Sequence, residues 1–308
     1  MAIFYDIHNL PDFKNAVLTV GFFDGVHKGH KAILNEVVTH ALTAEGESVL
    51  LTFEPHPRKL LYPEQNLGII TPLQQKLQLI TDAGIQHIVV VPFTKEFANL
   101  SATQYIEDFL VGLFRPHSIV LGYDHRFGHD RKGDIGLLKE YGPKYNYAVI
   151  EISEQLINEA AVSSTKIRNA ISEGKVADAA TMLERPYSLE GTVIHGKRLG
   201  RTIGYPTANI HPLDKDQLIP AIGIYAVLVN HAGTTYKGML SIGHNPTVTD
   251  TKDIKIEVNI FDFDKDIYEQ QIELLFIAHI RDEEKFDSLD ALKEQIRRDE
   301  VMARKLLG

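Results

Sequence analysis

The sequence predicts two fold classes in one chain: an α/β domain on a parallel sheet, then an antiparallel β-barrel with a terminal helix. Up to about residue 185, short apolar runs alternate with segments of helical period, as in strand, helix, strand repeats. After Pro186, strands with alternating apolar and polar residues follow one another between turns rich in Gly, Asn and Asp. The length of 308 residues exceeds what one core usually serves, so two domains are expected.

In the first domain, each predicted strand is a continuous apolar run of the kind that parallel sheets bury, and each helix spaces its apolar residues three or four apart. The predicted strands are 16–20, 49–53, 87–91, 118–121 and 147–150. The predicted helices are 73–83, 103–113 and one that begins near His30 and carries Ile33, Leu34, Val37, Val38 and Ala41.

In the second domain, alternation predicts strands at 224–229, 236–242, 255–261 and 272–280. The last segment, from Ser288 to Gly308, predicts an amphipathic helix packed on the barrel. Its apolar face is predicted to contain Leu289, Leu292, Ile296, Ala303 and Leu306. Pro186 disfavours helix at Arg185, so the domains are predicted to be 1–183 and 184–308.

Composition narrows the function classes. A formal net charge of −9 opposes a general nucleic-acid or anionic-membrane surface, so neither partner is expected. The absence of Cys excludes disulfides, thiolate nucleophiles and cysteine metal sites. The first residues lack a basic and then apolar signal pattern, and no apolar stretch approaches the ~18 residues of a membrane span, so a cytoplasmic location is the default expectation.

The most informative stretch is GFFDGVHKGH at 21–30, which we call the histidine turn. It lies between a predicted strand and a predicted helix, where free amides and the positive end of the helix dipole favour phosphate. Gly21, Gly25 and Gly29 allow the backbone to approach a phosphate closely. His27 and His30, three residues apart, are predicted to lie on one side of the first helical turn and to donate hydrogen bonds to phosphate oxygens.

The histidine turn resembles the HxGH signature of nucleotidyltransferases related to class I aminoacyl-tRNA synthetases. Together with TFEPHPR at 52–58, it is similar to the amino-terminal module of the bacterial bifunctional riboflavin kinase/FAD synthetase family. The resemblance implies a Rossmann-like domain that transfers an adenylyl group from ATP to FMN. It also implies that Phe22 and Asp24 help to bind ATP or FMN.

Two further segments match this family. In GYDHRFG at 122–128, the resemblance implies that Gly122 and Asp124 help to hold the nucleotide and the flavin, although His125 replaces an aromatic residue that is more frequent there. The alternative is a polar surface loop. SSTKIR at 163–168 resembles the block that pairs with HxGH, which implies binding roles for Ser163, Ser164, Thr165 and Arg168. Here the alternative is a helix cap formed by the hydroxyls.

The second domain contains a glycine-rich basic segment at 191–209, of the kind that wraps phosphates. Its candidate ATP- and flavin-binding residues are Gly196, Lys197, Gly200, Arg201 and Gly204, with Arg198 nearby. It ends in Pro-Thr-Ala-Asn, a segment that resembles riboflavin kinases and implies that Thr207 and Asn209 hold Mg²⁺ together with ATP. A hydroxyl and an amide oxygen are suitable ligands for Mg²⁺. The alternative for this segment is an ordinary turn before a strand.

Phosphorylating an alcohol requires a base, and Glu257 is the candidate. From the residues alone it cannot be distinguished from Asp262, Asp264 or Asp266, and it is the family pattern that selects it. Asn259 stands where relatives often have His, so a supporting role at that position is open.

The resemblance implies two reactions, from riboflavin to FMN and from FMN to FAD, with flavins as substrates and products, ATP as the donor in both, and Mg²⁺ as a cofactor bound with ATP. Three alternatives stay open: an enzyme with only one of the activities, a flavin-binding regulator without activity, and another HxGH transferase, for example one acting on pantetheine phosphate.

Overall fold

The computed structural model describes residues 1–61, 64, 68–153, 162–196, 204–244 and 254–308. The chain folds into two compact units. Unit 1 comprises Met1–Leu67 and Thr71–Ser164, and unit 2 comprises Gly68–Ile70 and Thr165–Gly308. The short segment Gly68–Ile70 therefore belongs to unit 2 although unit 1 continues after it. The functional boundary at 183/184 stays a prediction.

Unit 1 is built on a six-stranded parallel sheet in the order β1-β4-β3-β2-β5-β6, as predicted for an α/β domain. All four residues of β2 are buried. The residues of β2 alternate between two apolar clusters, with Leu18 and Val20 in one and Val17 in the other, because successive strand residues face opposite sides. The strands are β1 Ala2–Phe4, β2 Val17–Val20, β3 Ser48–Glu54, β4 His87–Pro92, β5 Ser118–Gly122 and β6 Ala148–Ile152.

The helices of unit 1 connect these strands, and most follow the predicted period. The segment predicted as one helix at 103–113 instead consists of two short α-helices that flank a π-helix, Tyr105–Val111. Apolar spacing locates a buried helical face but does not distinguish a π-turn from an α-turn. The α-helices of this unit are α1 Lys28–Thr43, α2 Pro57–Leu61, α3 Leu73–Asp82, α4 Lys95–Ala98, α5 Ala102–Gln104, α6 Gly112–Phe114 and α7 Ile135–Tyr145, and a 3₁₀ turn spans His129–Arg131.

Unit 2 is a closed six-stranded antiparallel barrel in the order β10-β11-β8-β7-β12-β9, which confirms the predicted barrel. Burial alternates along β7, as expected for a strand with one face toward a core. The strands are β7 Tyr187–Ile194, β8 Ala208–Pro212, β9 Gly223–His231, β10 Thr234–His244, β11 Ile254–Ile260 and β12 Gln271–Arg281. Helices α8 Ser164–Ser172 and α9 Val176–Leu183 precede the barrel, and α10 Leu289–Leu306 ends the chain.

Helix α10 begins where Ser288 caps it, because the serine side chain accepts a hydrogen bond from the Ala291 amide. Ala303 is buried against barrel residues, which confirms that the helix packs on the barrel. The apolar face is narrower than predicted, since Leu289 and Leu306 are exposed. A buried aspartate, Asp299, takes part of that face.

The Asp299 carboxylate is tolerated there because it accepts three hydrogen bonds of 2.7 to 3.0 Å from the Arg281 guanidinium at the end of β12. Gln295 donates a further bond of 2.8 Å to the same carboxylate. A buried carboxylate with a bidentate partner is compensated electrostatically, so an ion pair replaces apolar packing at this part of the interface.

Candidate functional site

The histidine turn joins the carboxyl end of β2 to the amino end of α1. Helix α1 begins at Lys28 because His27 is extended and its Nδ1 accepts a hydrogen bond of 3.3 Å from the His30 amide. Gly25 has a φ of +91°, a conformation that side chains rarely adopt. The carboxyl edge of a parallel sheet and the amino end of a helix therefore meet at this turn, which is where nucleotides bind in open α/β sheets.

The imidazole rings of His27 and His30 stack on each other, with centroids 3.6 Å apart and planes 16° from parallel. The Phe23 ring contacts His30 edge-on at 5.0 Å. His30 Nδ1 is buried and has no hydrogen-bond partner among the residues that the structure describes. Burial, with the charges of His27 and Lys76, holds the pKa of His30 well below the ordinary histidine value. The two histidines are thus brought together as their spacing predicted.

Asp24 holds the histidine turn in place rather than pointing freely into solvent. Its buried carboxylate accepts a hydrogen bond of 3.1 Å from the Thr71 amide, just before α3. Its backbone carbonyl accepts one of 3.0 Å from the Ser164 hydroxyl. Two residues predicted as binding residues, Asp24 and Ser164, are therefore in direct contact within unit 1.

Lys76 is a residue of this region that the sequence reasoning missed. It lies on α3, is 6% exposed, and its ammonium donates a hydrogen bond of 3.1 Å to the Thr52 hydroxyl. Burial lowers the pKa of Lys76, while the carboxylates of Glu54 and Asp24 oppose this effect. A signal was present in the sequence, because Lys76 occupies a core position in the helical pattern of Leu73, Leu77 and Ile80.

The segment after β5 is more polar and more exposed. Gly122 ends the strand and Asp124 is exposed. Burial lowers the pKa of His125 to about 4, and the charge of Arg131 adds to this effect while Asp124 opposes it. Arg126, in the same segment, forms an exposed ion pair of 2.8 Å with Asp134.

The serine-rich block lies at the start of α8. Ser163 precedes the helix, and Thr165 is exposed in its first turn. Arg168, which is in unit 2, donates from Nε to the Gly68 carbonyl at 3.0 Å. This arginine therefore also organises the short segment of unit 2 that precedes α3.

In unit 2, Glu257 and Asn209 face each other across the pairing of β11 and β8. The Thr207 hydroxyl donates a hydrogen bond of 3.3 Å to Glu257 Oε1. The Lys255 ammonium lies 2.8 Å from Glu257 Oε2. The structure thus brings together Thr207, Asn209 and Glu257, which we call the barrel cluster.

Neighbouring residues fix the position of the barrel cluster. A Cβ added to Gly196 would overlap the Asn209 side-chain amide, so Asn209 keeps its present position only with glycine at 196. Asn259 donates a hydrogen bond of 2.6 Å to the Pro206 carbonyl and so anchors the residue before Thr207. Gly204 has a φ of +89°. Four residues of the predicted phosphate loop lie outside the described residues: Lys197, Arg198, Gly200 and Arg201.

The barrel cluster presents a hydroxyl, an amide and a carboxylate, all hard oxygen donors of the type that Mg²⁺ accepts beside phosphate and water. The space that Gly196 leaves for the Asn209 amide fits such a site. Within the described part of the chain, no group of three or more His, Asp or Glu side chains is placed to hold a metal ion.

A separate cavity of about 450 Å³ lies in unit 1, where its lining includes His117, Lys139 and Tyr147. It is at the amino ends of β5 and β6, whereas the histidine turn follows the carboxyl end of β2. Because the strands are parallel, the cavity and the histidine turn lie at opposite edges of the sheet. The cavity is therefore unrelated to the chemistry of the turn.

Comparisons with known proteins match both parts of the chain. The FAD synthetase family model matches residues 10–166, and the riboflavin kinase family model matches residues 183–307. The chain is 38% identical over 287 residues to the bifunctional riboflavin kinase/FMN adenylyltransferase of Listeria monocytogenes serovar 1/2a, which covers 93% of this chain and 90% of that protein. It is 36% identical over 311 residues to the protein of the same name from Escherichia coli strain K12, covering 100% and 98%.

A crystal structure from Streptococcus pneumoniae, described as a macrolide-efflux protein, is 32% identical, has a TM-score of 0.88 and is matched over 98% of both chains. Among the helices that the structure describes here, none is long and apolar enough to cross a membrane. The two family matches, in the order of the two units, and the full-length relatives confirm the resemblance carried by the motifs. The chain belongs to the family of bifunctional riboflavin kinase/FMN adenylyltransferases.

Proposed function

We propose that this chain converts riboflavin to FMN at the barrel cluster and FMN to FAD at the histidine turn, using ATP in both steps. The functional domains are 1–183 for adenylyl transfer and 184–308 for the kinase. The observation that carries the proposal is the barrel cluster, in which Glu257 is hydrogen-bonded to Thr207 and lies opposite Asn209. A carboxylate beside two neutral oxygen donors supplies a base for the alcohol and oxygen ligands for a metal ion that accompanies ATP.

In the kinase step, the 5′-hydroxyl oxygen of the ribityl chain forms a bond to the γ-phosphorus of ATP, and the bond from that phosphorus to the β-γ bridging oxygen breaks, so that ADP leaves. Glu257 takes the hydroxyl proton. Its Oε2 is paired with Lys255 and its Oε1 with Thr207, so the carboxylate has a defined orientation. Thr207 and Asn209 would hold Mg²⁺, which would supply charge neutralisation for the phosphates when bound. Gly196 and Gly204 bind ATP or flavin, and we extend this role to Lys197, Gly200 and Arg201 from the sequence pattern.

In the adenylyl-transfer step, an FMN phosphate oxygen forms a bond to the α-phosphorus of a second ATP, and pyrophosphate leaves with the electron pair of the broken bond. No protein nucleophile and no proton transfer are needed. His27 and His30 bind phosphate oxygens with the free amides of α1, which stabilises charge in the transition state. The remaining residues proposed to bind ATP or FMN are Gly21, Phe22, Asp24, Gly25, Gly29, Gly122, Asp124, Ser163, Ser164, Thr165 and Arg168.

The partners in this proposal are small molecules: riboflavin, FMN, FAD and ATP. The net charge of −9 supports the absence of a general nucleic-acid surface, and we propose a cytoplasmic location, where ATP is abundant.

The test is chromatographic separation of flavins after incubation of the purified protein with riboflavin, ATP and Mg²⁺, with a parallel reaction started from FMN. FAD from both reactions is expected. FMN without FAD would leave only the kinase. FAD from supplied FMN without conversion of riboflavin would leave only the adenylyltransferase. No conversion in either reaction would favour a flavin-binding regulator or an HxGH transferase with another substrate, such as pantetheine phosphate.

A further inference from the structure

Lys76 places a buried positive charge next to the histidine turn. The side chain is 6% exposed, and among the described residues its ammonium makes one hydrogen bond, to the neutral hydroxyl of Thr52. A buried ammonium is costly unless a negative group compensates it. Such a charge is therefore a candidate for function rather than for stability.

A chain of hydrogen bonds connects this ammonium to the histidine turn. Lys76 donates to Thr52, which is completely buried on β3, and the Thr52 hydroxyl donates to the Phe22 carbonyl at 3.3 Å. Phe22 is the second residue of the histidine turn. Thr52 thus fixes both the position of the ammonium and the path of the backbone that leads to His27 and His30.

Two carboxylates are close enough to act on the charge of Lys76. Asp24 on the turn and Glu54 on β3 act on Lys76 electrostatically, but burial outweighs them and the pKa of Lys76 is lowered. The Asp24 carboxylate also accepts a hydrogen bond from the Thr71 amide. On the other side, Lys76 and His27 both act on His30, whose pKa they lower in addition to the effect of burial.

We propose that Lys76 is a positioning residue for adenylyl transfer: its fixed charge behind the histidine turn stabilises the triphosphate of ATP and the departing pyrophosphate, and Thr52 holds it there. This inference rests on the proposed formation of FAD in unit 1. In that reaction the oxygen between the α- and β-phosphorus keeps the electron pair of the breaking bond, so negative charge grows on the pyrophosphate. A fixed buried cation stabilises this growing charge without reorganisation.

The experiment uses the full chain with Lys76→Met. We expect the kcat for FAD formation from FMN to fall about 100-fold, the magnitude typical of losing one charge-stabilising group. Riboflavin phosphorylation by the same molecule and the KM for FMN should stay within about twofold, since Lys76 is proposed to act on the phosphates of ATP and not on the binding of FMN. Lys139→Met is the matched control, because Lys139 is on the surface of α7 and pairs with Glu151.

A second readout separates charge from packing. Removing a neighbouring positive charge raises the pKa of a histidine, so the NMR titration of His30, identified by comparison with His30→Gln, should move to higher pH in Lys76→Met. If Lys76→Met does not fold, Thr52→Val retains the lysine and the shape of the core but removes the hydroxyl that holds the ammonium. Thr52→Val is then expected to lower FAD formation about tenfold, the loss typical of one hydrogen bond to a charged group.

The outcomes are distinguishable. If the parent protein makes no FAD from FMN, the proposed adenylyl transfer itself fails. If the parent makes FAD and folded Lys76→Met makes it equally fast, the role of Lys76 is overturned. The role of Lys76 is also overturned if Lys76→Met forms FAD slowly but the His30 titration is unchanged. If Lys76→Met cannot fold, full FAD formation by Thr52→Val overturns the role in the same way.

Discussion

Thr207 donates a hydrogen bond of 3.3 Å to Glu257 Oε1, although the two residues are 50 positions apart in the chain. The contact forms because β8 and β11 are neighbours in the barrel, with Asn209 opposite Glu257. One strand pairing therefore assembles the base and the two neutral oxygen donors proposed for the kinase step.

Glu257→Gln tests the base directly. The amide retains the size of the side chain and one acceptor oxygen but cannot take a proton, so riboflavin phosphorylation should fall about 10²- to 10⁴-fold. FAD formation from supplied FMN should be unchanged. The control is Glu273→Gln, on strand β12, where the carboxylate accepts a bond from Asn230. Loss of both activities in a folded Glu257→Gln protein would contradict the assignment.

His30→Ala tests the histidine turn. Removing one donor to the reacting phosphates should lower FAD formation about 10²- to 10³-fold. The kinase rate should be retained, as measured from riboflavin in the same preparation. His40→Ala is the matched control on the same helix, because His40 is at the far end of α1, where it pairs with Glu36. Unchanged FAD formation in His30→Ala would remove this residue from the transfer site.

Gly196→Ala tests whether the position of Asn209 matters to the kinase. The new methyl group would displace the Asn209 amide, so the KM for Mg²⁺-ATP should rise and the kinase rate should fall. Gly233→Ala is the control: Gly233 has a φ of +78° in the turn between β9 and β10 and nothing within 4 Å of an added Cβ. It should lower barrel stability by about 1 kcal/mol without altering the KM. Equal KM and kinase rate in the two variants would show that Gly196 is needed only for the backbone conformation and not for the position of Asn209.

The lowered pKa of His125 predicts that the stability of the folded protein depends on pH. Its pKa is about 4 in the folded protein and ~6.5 in an unfolded chain, so between these values the unfolded state binds more protons. Stability should therefore be greatest above pH ~6.5 and decrease as the pH falls, with His125 accounting for about 2 kcal/mol between pH 7 and pH 5.

The measurement is urea denaturation followed by circular dichroism at pH 7 and pH 5. His125→Gln should lose part of the decrease seen in the parent, while His129→Gln, an exposed neighbour in the same loop, should retain all of it. An equal decrease in the parent and His125→Gln would contradict the prediction.

Much of the fold was predictable because its signals are local. The four buried residues of β2 form a continuous apolar run, and Ser288 is a recognisable cap for α10. The π-helix at Tyr105–Val111 was not predictable, since its apolar residues also suit an α-helix. Asp299 was missed because its partner, Arg281, is supplied by β12.

The sites were predictable where the motif itself carries the geometry. His27 and His30 stack because three positions are about one turn of a helix. The partners of Glu257 depend on strand pairing, so only the family resemblance distinguished it from nearby aspartates. Lys76 was missed because its meaning depends on Thr52, Asp24 and Glu54, which other elements bring to it.

The segment Gly68–Ile70 has a consequence for making either half of the protein alone. Ile69 forms a bridge with Gln217, and its amide donates to the Asp216 carbonyl at 2.8 Å, so three residues from the first quarter of the chain complete unit 2. A fragment beginning at residue 184 would lack this bridge, and it would also lack Gly68 and Arg168, which are hydrogen-bonded to each other in unit 2. During synthesis on the ribosome, the same three residues emerge long before Gln217, so they can form the bridge only after Gln217 has been synthesised. Expression of the kinase half is therefore best designed with a peptide containing Gly68–Ile70 supplied in trans. The gain in the stability of that half on addition of the peptide would measure how much this early segment contributes to the folding of unit 2.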